Sequence, residues 1–323
     1  MNAELDDPFA EAYVLTGPTG SGKFGVALEL AGRLNGEIVS MDSMTLYRGL
    51  DIGTAKPTAE EQSTVRHHLI DVLDPWESAN VAWWLARAKE ACVEIRSRGK
   101  RPLLVGGTPF YLKAVLSGLF EAPAVDPAVR QRLEAEADSI GKEAMHARLI
   151  GIDPKTAARL HPNDVRRVVR ALEVWESTGR PLSAFQTTWT TETFAGREPP
   201  SAIPCVVLEW PREELYRRIE ARVDAMLAAG WLDEIRRLRE LPLPLSKEAS
   251  QALGYRDLIA FAEGTGEGWD ETVSTIKMRT RQFAKRQLTW FRGLPACRPC
   301  SADAEHVLEL WTTPISNSLT SES

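Results

Sequence analysis

The sequence predicts an α/β protein, a mostly parallel sheet flanked by helices and interrupted by a helical insertion, on three observations. Apolar runs of strand length alternate with helix-period segments through the first third of the chain. Between the first such run and the first helical segment lies Gly17-Pro18-Thr19-Gly20-Ser21-Gly22-Lys23, a G-x-x-x-x-G-K phosphate-binding loop, which makes the sheet P-loop-type. The middle of the chain then loses its strand-like runs and becomes helical and charged.

The elements follow in order. Ala12-Tyr13-Val14-Leu15 reads as the first strand, and Ala27, Leu30, Ala31 and Leu34 give the next segment one apolar face that Asn35-Gly36 stops. Glu37-Ile38-Val39-Ser40-Met41 is a second strand ending at Asp42. A helix over 80–98, closed by Gly99, leads to a third strand, Pro102-Leu103-Leu104-Val105, which ends at Gly106-Gly107-Thr108. Asp126-Pro127, Asp153-Pro154 and Asn163-Asp164 mark helix starts within 126–183. Residues 197–204 form a proline-bearing connector, after which Cys205-Val206-Val207-Leu208 returns as a strand. Residues 10–122 are thus expected to form the first part of the core, 123–200 the helical insertion, 201–300 the completion of the core and 301–323 a loose polar tail. No internal repeat is visible.

Composition sets the class. At 323 residues, 43% hydrophobic and 26% charged, the chain reads as an ordinary soluble globular protein of one large or two unequal domains. A net charge of −6 argues against a generally basic nucleic-acid binder, although local basic patches remain possible. No apolar run approaches a membrane span, and the acidic residues 1–8 lack the features of a signal peptide. Four cysteines are too few for a disulfide scaffold and fit a reducing cytoplasm. Cys297 and Cys300 make a lone CxxC, and without a second pair or a well-spaced histidine pair metal binding is disfavoured. No heptad pattern calls for a partner subunit, so a monomer is expected.

The loop supplies the first chemical group. Its glycines let backbone N–H groups curl around a phosphate, the following helix adds partial positive charge, and Lys23 adds a full one. Phe24 stands where Ser or Thr is expected and cannot hold Mg²⁺ through a hydroxyl. In an open α/β sheet, ligands sit at the carboxyl ends of the strands, so the loop, Asp42 and Thr108 should converge. Asp42 could hold magnesium through water, accept a proton from a nucleophile, or cap a turn. Thr108 could donate to a phosphate oxygen or cap a helix. Arg218 and Arg222, four apart, could clamp a diphosphate or pair with Glu214 and Glu220. Arg166, Arg167 and Arg170 alternate with Val165, Val168, Val169 and Leu172, so the valines can face a core while the arginines project. Lys277, Arg281 and Lys285, with Arg279, Arg286 and Arg292 nearby, form a second basic stretch, read as a solvated face or a phosphate-backbone contact. His67-His68 is read as packing or hydrogen bonding, because no third metal ligand is evident.

Taken together these segments resemble the tRNA dimethylallyltransferases, the tRNA isopentenyltransferase or IPP transferase family. The resemblance rests on the phosphate loop; on Asp42-Ser43 through Lys56-Pro57; and on Val105-Gly106-Gly107-Thr108 with Tyr111-Leu112-Lys113. It continues with His161-Pro162-Asn163-Asp164 and the stretch 166–173, Leu253-Gly254-Tyr255, Arg281-Gln282 and Lys285-Arg286-Gln287, in family order over 13–294. It implies transfer of a dimethylallyl group from the co-substrate dimethylallyl diphosphate to the N6 amine of the adenosine 3′-adjacent to the anticodon. Asp42 would take the amine proton, and the loop, Lys23 and Arg218 or Arg222 would neutralise the departing diphosphate with Mg²⁺ held at Asp42; Thr108 would lie near the reacting groups. Asp42, Ser43, Met44, Thr45, Thr108, Arg130, Arg166, Arg167, Val168, Val169, Arg170, Gln251, Ala252, Leu253, Gly254, Tyr255 and Arg256 match stretches that touch tRNA. The insertion would grip the anticodon stem-loop, and the adenosine would be flipped from its stack into the crevice. Phe24 departs from the family's Ser or Thr, which implies weakened activity before it implies none. An ATP-binding P-loop ATPase or phosphotransferase, an inactive tRNA-binding relative and a free-adenylate isopentenyltransferase are the rival readings; the last has no reason to keep the insertion and its arginines.

Overall fold

The computed structural model describes residues 7–119, 126–185 and 203–313. Six strands appear: β1 (Tyr13–Thr16), β2 (Gly36–Ser40), β3 (His67–His68), β4 (Arg101–Gly106), β5 (Cys205–Leu208) and β6 (Cys297–Cys300). Helices α1 (Lys23–Arg33), α2 (Ala59–Thr64), α3 (Val81–Ser97) and α4 (Pro109–Ser117) accompany the first four strands. Helices α5 (Pro127–Ile140), α6 (Lys142–Ile152), the single turn α7 (Pro154–Ala157) and α8 (Val165–Thr178) occupy the stretch without strands. Helices α9 (Arg212–Ala228), α10 (Trp231–Arg239), α11 (Tyr255–Ala262) and α12 (Trp269–Arg292) separate β5 from β6, and α13 (Ala304–Thr312) follows.

The strands form one sheet in the order β3-β2-β4-β1-β5-β6, with every pairing parallel. A parallel sheet covered on both faces needs apolar residues at successive positions, and Val14, Leu15, Ile38, Val39, Leu103, Leu104, Val105, Val206 and Leu208 are all fully buried. Leu15 pairs with Val105 on one side and Val206 on the other, which aligns the carboxyl ends of β1, β4 and β5. Ala27, Leu30 and Ala31 of α1 pack against one face. The hydroxyl of Thr16 donates to the Gly106 carbonyl at 2.7 Å, binding the strand ends beside the loop.

Two strands escape the sequence because they carry no apolar run. β3 is two histidines, and β6 is Cys-Arg-Pro-Cys at the sheet edge. The expectation of a loose tail over 301–323 is corrected for 301–313, the remaining 314–323 lying outside the described residues: Asp303 caps α13 by accepting the His306 N–H at 2.9 Å, and Ala304, Val307 and Trp311 are buried on one helical stripe. Trp311 stacks on Tyr13 with centroids 4.7 Å apart and donates to the Val14 carbonyl at 3.2 Å. The polar residues that suggested a tail hide that periodicity.

The chain divides into two compact units, one from Met1–Leu116 with Ser201–Ser323, the other Ser117–Pro200. The second has its own core, in which Leu133, Met145 and Leu149 meet Val168, Val169 and Leu172 of α8. Its helices begin where short acids can cap them: Asp126 accepts the Ala128 N–H at 2.9 Å and Asp153 the Thr156 N–H at 3.1 Å. The start at Gly141 carries no such signal and is absent from the sequence reading. Of the proline-bearing connector, 197–202 lie outside the described residues.

Candidate active site

The phosphate loop joins β1 to α1, and its backbone conformation depends on glycine at two places. Gly20 and Gly22 have φ of +81° and +84°, and a side chain on Gly20 would begin 2.8 Å from Cγ1 of Ile219. The first-turn N–H groups of α1 have no acceptor within the helix and stand at its positive end. The loop is braced from α9, α12 and the turn before α9. Trp210 Nε1 donates to the Ser21 carbonyl at 3.0 Å, and Arg218 Nε to the Gly20 carbonyl at 3.0 Å with its guanidinium 4.2 Å over the Trp210 ring. Arg222 Nη1 reaches Thr19 Oγ1 at 3.4 Å. Both arginines proposed from sequence therefore touch the loop. Their helical neighbours Glu214 and Glu220 pair instead with Arg217 and Arg281.

The second and third strand ends close the other side. Oδ1 of Asp42 accepts the Met44 N–H at 2.9 Å, and its other carboxylate oxygen accepts no hydrogen bond among the described residues. Asp42 thus caps its turn with one oxygen and keeps the second available. Thr108 Oγ1 accepts the Ser43 N–H at 3.1 Å, so its side chain fixes the Asp42 turn and does not cap α4. The backbones cross closely there, because a Cβ on Gly106 would lie 2.1 Å from the Met41 carbonyl oxygen.

Lys23, Asp42, Thr108 and Arg222 line one cleft of about 240 Å³. Its apolar wall includes Phe24, Met44, Ile219, Met226, Trp231 and Phe283. Lys23 is 7% exposed; burial first, and then repulsion from Arg222, lower its pKa to about 8, with Asp42 opposing in part. Burial also lowers Arg222, again opposed by Asp42. Neither cation forms an ion pair among the described residues. The drop from 10.5 to about 8 means that keeping Lys23 charged costs about 3 kcal/mol, a cost that an arriving anion removes.

One residue of this site was missed as a site residue. Gln287 of α12, 3% exposed, accepts the Thr19 N–H at 2.9 Å and donates to the Gly107 carbonyl at 2.6 Å, joining the phosphate loop to the end of β4. The available signal was a polar residue at the buried helix position that also holds Ile276, Thr280, Ala284 and Phe291. Glu234, 2% exposed, is a second. It accepts the Asp51, Ile52 and Gly53 N–H groups at 2.9, 2.6 and 3.3 Å and the Tyr255 hydroxyl at 2.6 Å, and so shapes the wall that Gly53 and Thr54 give the cleft. A lone acid among Trp231, Ile235 and Leu238 of an apolar helical stripe was its signal.

Several residues expected at an RNA surface are structural. Thr45 is fully buried with its hydroxyl 2.8 Å from Ser40 Oγ. Val168 and Val169 lie in the core of the second unit, and Ala252 and Tyr255 are buried as well. Gly254, at φ +83°, would place a Cβ 2.4 Å from the Trp231 ring. Side-chain contact from these positions is excluded by packing. Leu253 lines the cleft, whereas Gln251, Arg256, Arg166 and Arg167 are exposed. Arg130 and Arg170 converge on buried Glu173 at 2.7 and 3.1 Å while retaining exposure. Most of the second basic stretch is ion-paired: Lys277 with Asp224, Arg279 with Asp257, Arg281 with Glu220 and Arg292 with Glu209. Within 42–57, Lys56 pairs with Asp51, and also with Asp71, both at 2.5 Å, so much of that polarity folds the segment. No group of three or more His, Cys, Asp or Glu positioned for a metal occurs among the described residues. His68 instead meets Glu37 at 2.7 Å.

A family model for the IPP transferases matches residues 45–294, and one for isopentenyl transferases matches 10–73. The chain belongs to the IPP transferase family. It is 48% identical to a tRNA dimethylallyltransferase of Trichlorobacter lovleyi over 88% of this chain and 91% of that one. It is 49% identical to one from Symbiobacterium thermophilum over 86% and 85%. Among solved structures it is similar to a tRNA isopentenylpyrophosphate transferase of Bacillus halodurans (TM-score 0.65, 40% identity, 90% of this chain and 89% of that one). It is also similar to a eukaryotic dimethylallyltransferase acting on tRNA (TM-score 0.70, 29% identity, 90% and 74%). The IPP transferase relationship makes the expected prenyl-transfer chemistry the frame for the cleft. No helix among the described residues is long and apolar enough to cross a membrane.

Proposed function

We propose that this IPP transferase moves the dimethylallyl group of dimethylallyl diphosphate onto the N6 amine of the adenosine 3′-adjacent to the anticodon of tRNA. The observation that carries the reading is one cleft holding a carboxylate with a free oxygen and two cations, buried Lys23 and half-buried Arg222, without carboxylate partners. The diphosphate lies against the loop N–H groups, Lys23 and Arg222, whose unmatched charge strengthens as water is excluded. Arg218 holds the loop in shape through the Gly20 carbonyl. Asp42 accepts a proton from N6 as the N6–C1 bond forms, the C1–O bond breaks and diphosphate leaves. Thr108 keeps Asp42 in place through the Ser43 N–H. The Phe24 and Met226 side of the cleft takes the prenyl chain.

Asp42, the one carboxylate lining the cleft among the described residues, would hold Mg²⁺, and the ion would supply charge neutralisation of the leaving group. Phe24 offers it no ligand. Exposed Arg166 and Arg167 supply phosphate contacts to the anticodon stem-loop, and Gln251 and Arg256 add polar contacts. A tRNA substrate points to the cytoplasm as the place of action, and the lack of a heptad pattern points to a monomer. The decisive experiment incubates the protein with labelled dimethylallyl diphosphate, Mg²⁺ and unmodified tRNA. Label enters tRNA with the unmutated chain and falls about 10³-fold with Asp42→Ala; equal labelling by both would sink the proposed base, and ATP hydrolysis without labelling would favour a phosphotransferase.

A further inference from the structure

The CxxC motif near the end of the chain is not a pair in the fold. Cys297 and Cys300 sit at opposite ends of β6, and three residues along a strand place side chains on opposite faces. Cys300 stands opposite Leu208 and belongs to the buried cluster with Val206 and Leu208. Cys297 stands opposite Cys205, the first residue of β5, on the other face, and the two sulfur atoms are 3.1 Å apart. Neighbouring strands lie about 4.8 Å apart, within the Cα separation that a disulfide spans. Cys205 is buried, whereas Cys297 is partly exposed.

We infer that Cys205 and Cys297 form a redox-sensitive thiol pair that closes to a disulfide when the protein meets a peroxide. The partly exposed Cys297 sulfur attacks the peroxide O–O bond, giving Cys297 sulfenic acid and releasing water or an alcohol. The Cys205 sulfur then displaces the sulfenic oxygen as water, so two thiols lose two protons and two electrons while the peroxide is reduced. Cys205 is buried away from peroxide, which leaves the first step to Cys297; in the second, the Cys205 proton passes to the departing sulfenic oxygen as the S–S bond forms. The bond fastens the edge strand β6 to β5 and closes a loop between positions 92 apart. That loop contains α9, α10, α11 and α12, and with them Arg218, Arg222 and Gln287. The crosslink lies at the amino end of β5, while Leu208 at the other end approaches Gly17, so the active cleft is left open.

The test treats the full chain with hydrogen peroxide, blocks remaining thiols by alkylation and maps peptides by mass spectrometry. The expected product joins the peptides holding Cys205 and Cys297, is two hydrogens lighter than their sum and reverts with dithiothreitol. Its formation raises Tm by about 5 °C and leaves labelled prenyl transfer unchanged; Cys297→Ser shows neither the linked peptide nor the shift. Alkylation of both thiols after peroxide, a Cys297–Cys300 link, or Cys297 stopping at sulfinic acid would each overturn the inference. If Cys297→Ser fails to fold, peptide mapping of the unmutated chain still decides.

Discussion

Buried charge is handled in opposite ways at the two ends of the sheet. At the amino end of β2, Glu37 is 2% exposed and surrounded by Arg98 at 2.6 Å, His68 at 2.7 Å and Lys100 at 3.3 Å. Burial alone would raise its pKa, but the hydrogen bonds from Arg98, His68 and Lys100 outweigh that and hold it at about 2. At the carboxyl end, buried Lys23 and half-buried Arg222 have no such partners and both are shifted toward losing charge. Shifts of similar size therefore mean about 3 kcal/mol gained at Glu37 and about 3 kcal/mol spent at Lys23. The satisfied charge builds the fold, whereas the unsatisfied one is reserved for a ligand that brings the opposite sign.

Separating these two roles by mutation tests the contrast directly. Lys23→Met lowers kcat/KM for dimethylallyl diphosphate about 10³-fold while Tm stays level or rises, measured by initial rates and thermal melts. Glu37→Gln does the reverse, costing about 3 kcal/mol in denaturant unfolding while the folded fraction keeps its kcat. Comparable destabilisation by the two substitutions would collapse the distinction.

The pH dependences differ in sign as well. Lys23 is protonated below about 8, so diphosphate affinity is full there and weakens by up to tenfold per unit as pH rises further, which titration calorimetry reads. The contribution of Glu37 to stability is full above 4.5 and is lost as pH falls toward about 2, visible as acid unfolding. The smallest effect belongs to Phe24. Restoring a hydroxyl ligand with Phe24→Thr raises kcat about fivefold and lowers the Mg²⁺ needed for half-maximal rate; unchanged magnesium dependence would show that the hydroxyl is dispensable in this chain.

The sequence was most legible where one segment carries its own signal. The phosphate loop, the apolar strands and the acid-capped helices Pro127–Ile140 and Pro154–Ala157 follow from local chemistry, and Asp42 and Thr108 follow from the rule that strand ends meet. What escaped depends on distant partners. Gln287 matters because Thr19 and Gly107 both lie beside it, Glu234 because three consecutive N–H groups converge on it, and β6 because it pairs with β5. Charge alone did not show which cations of the second basic stretch are paired, because Asp224, Asp257, Glu220 and Glu209 supply partners from elsewhere in the chain. Resemblance by stretch also blurred a side-chain distinction: in Val168, Val169 and Tyr255 it marked neighbours of accessible residues that are themselves core.

Gln287 also sets a time at which the site comes into being. Its hydrogen bond to Thr19 spans 268 positions, so the phosphate loop leaves the ribosome long before the residue that joins it to Gly107. A chain still being synthesised carries the whole motif yet lacks the strut, and an interrupted product ending before α12 inherits a loop without its anchor. The bracing of the phosphate loop is thereby coupled to the synthesis of α12.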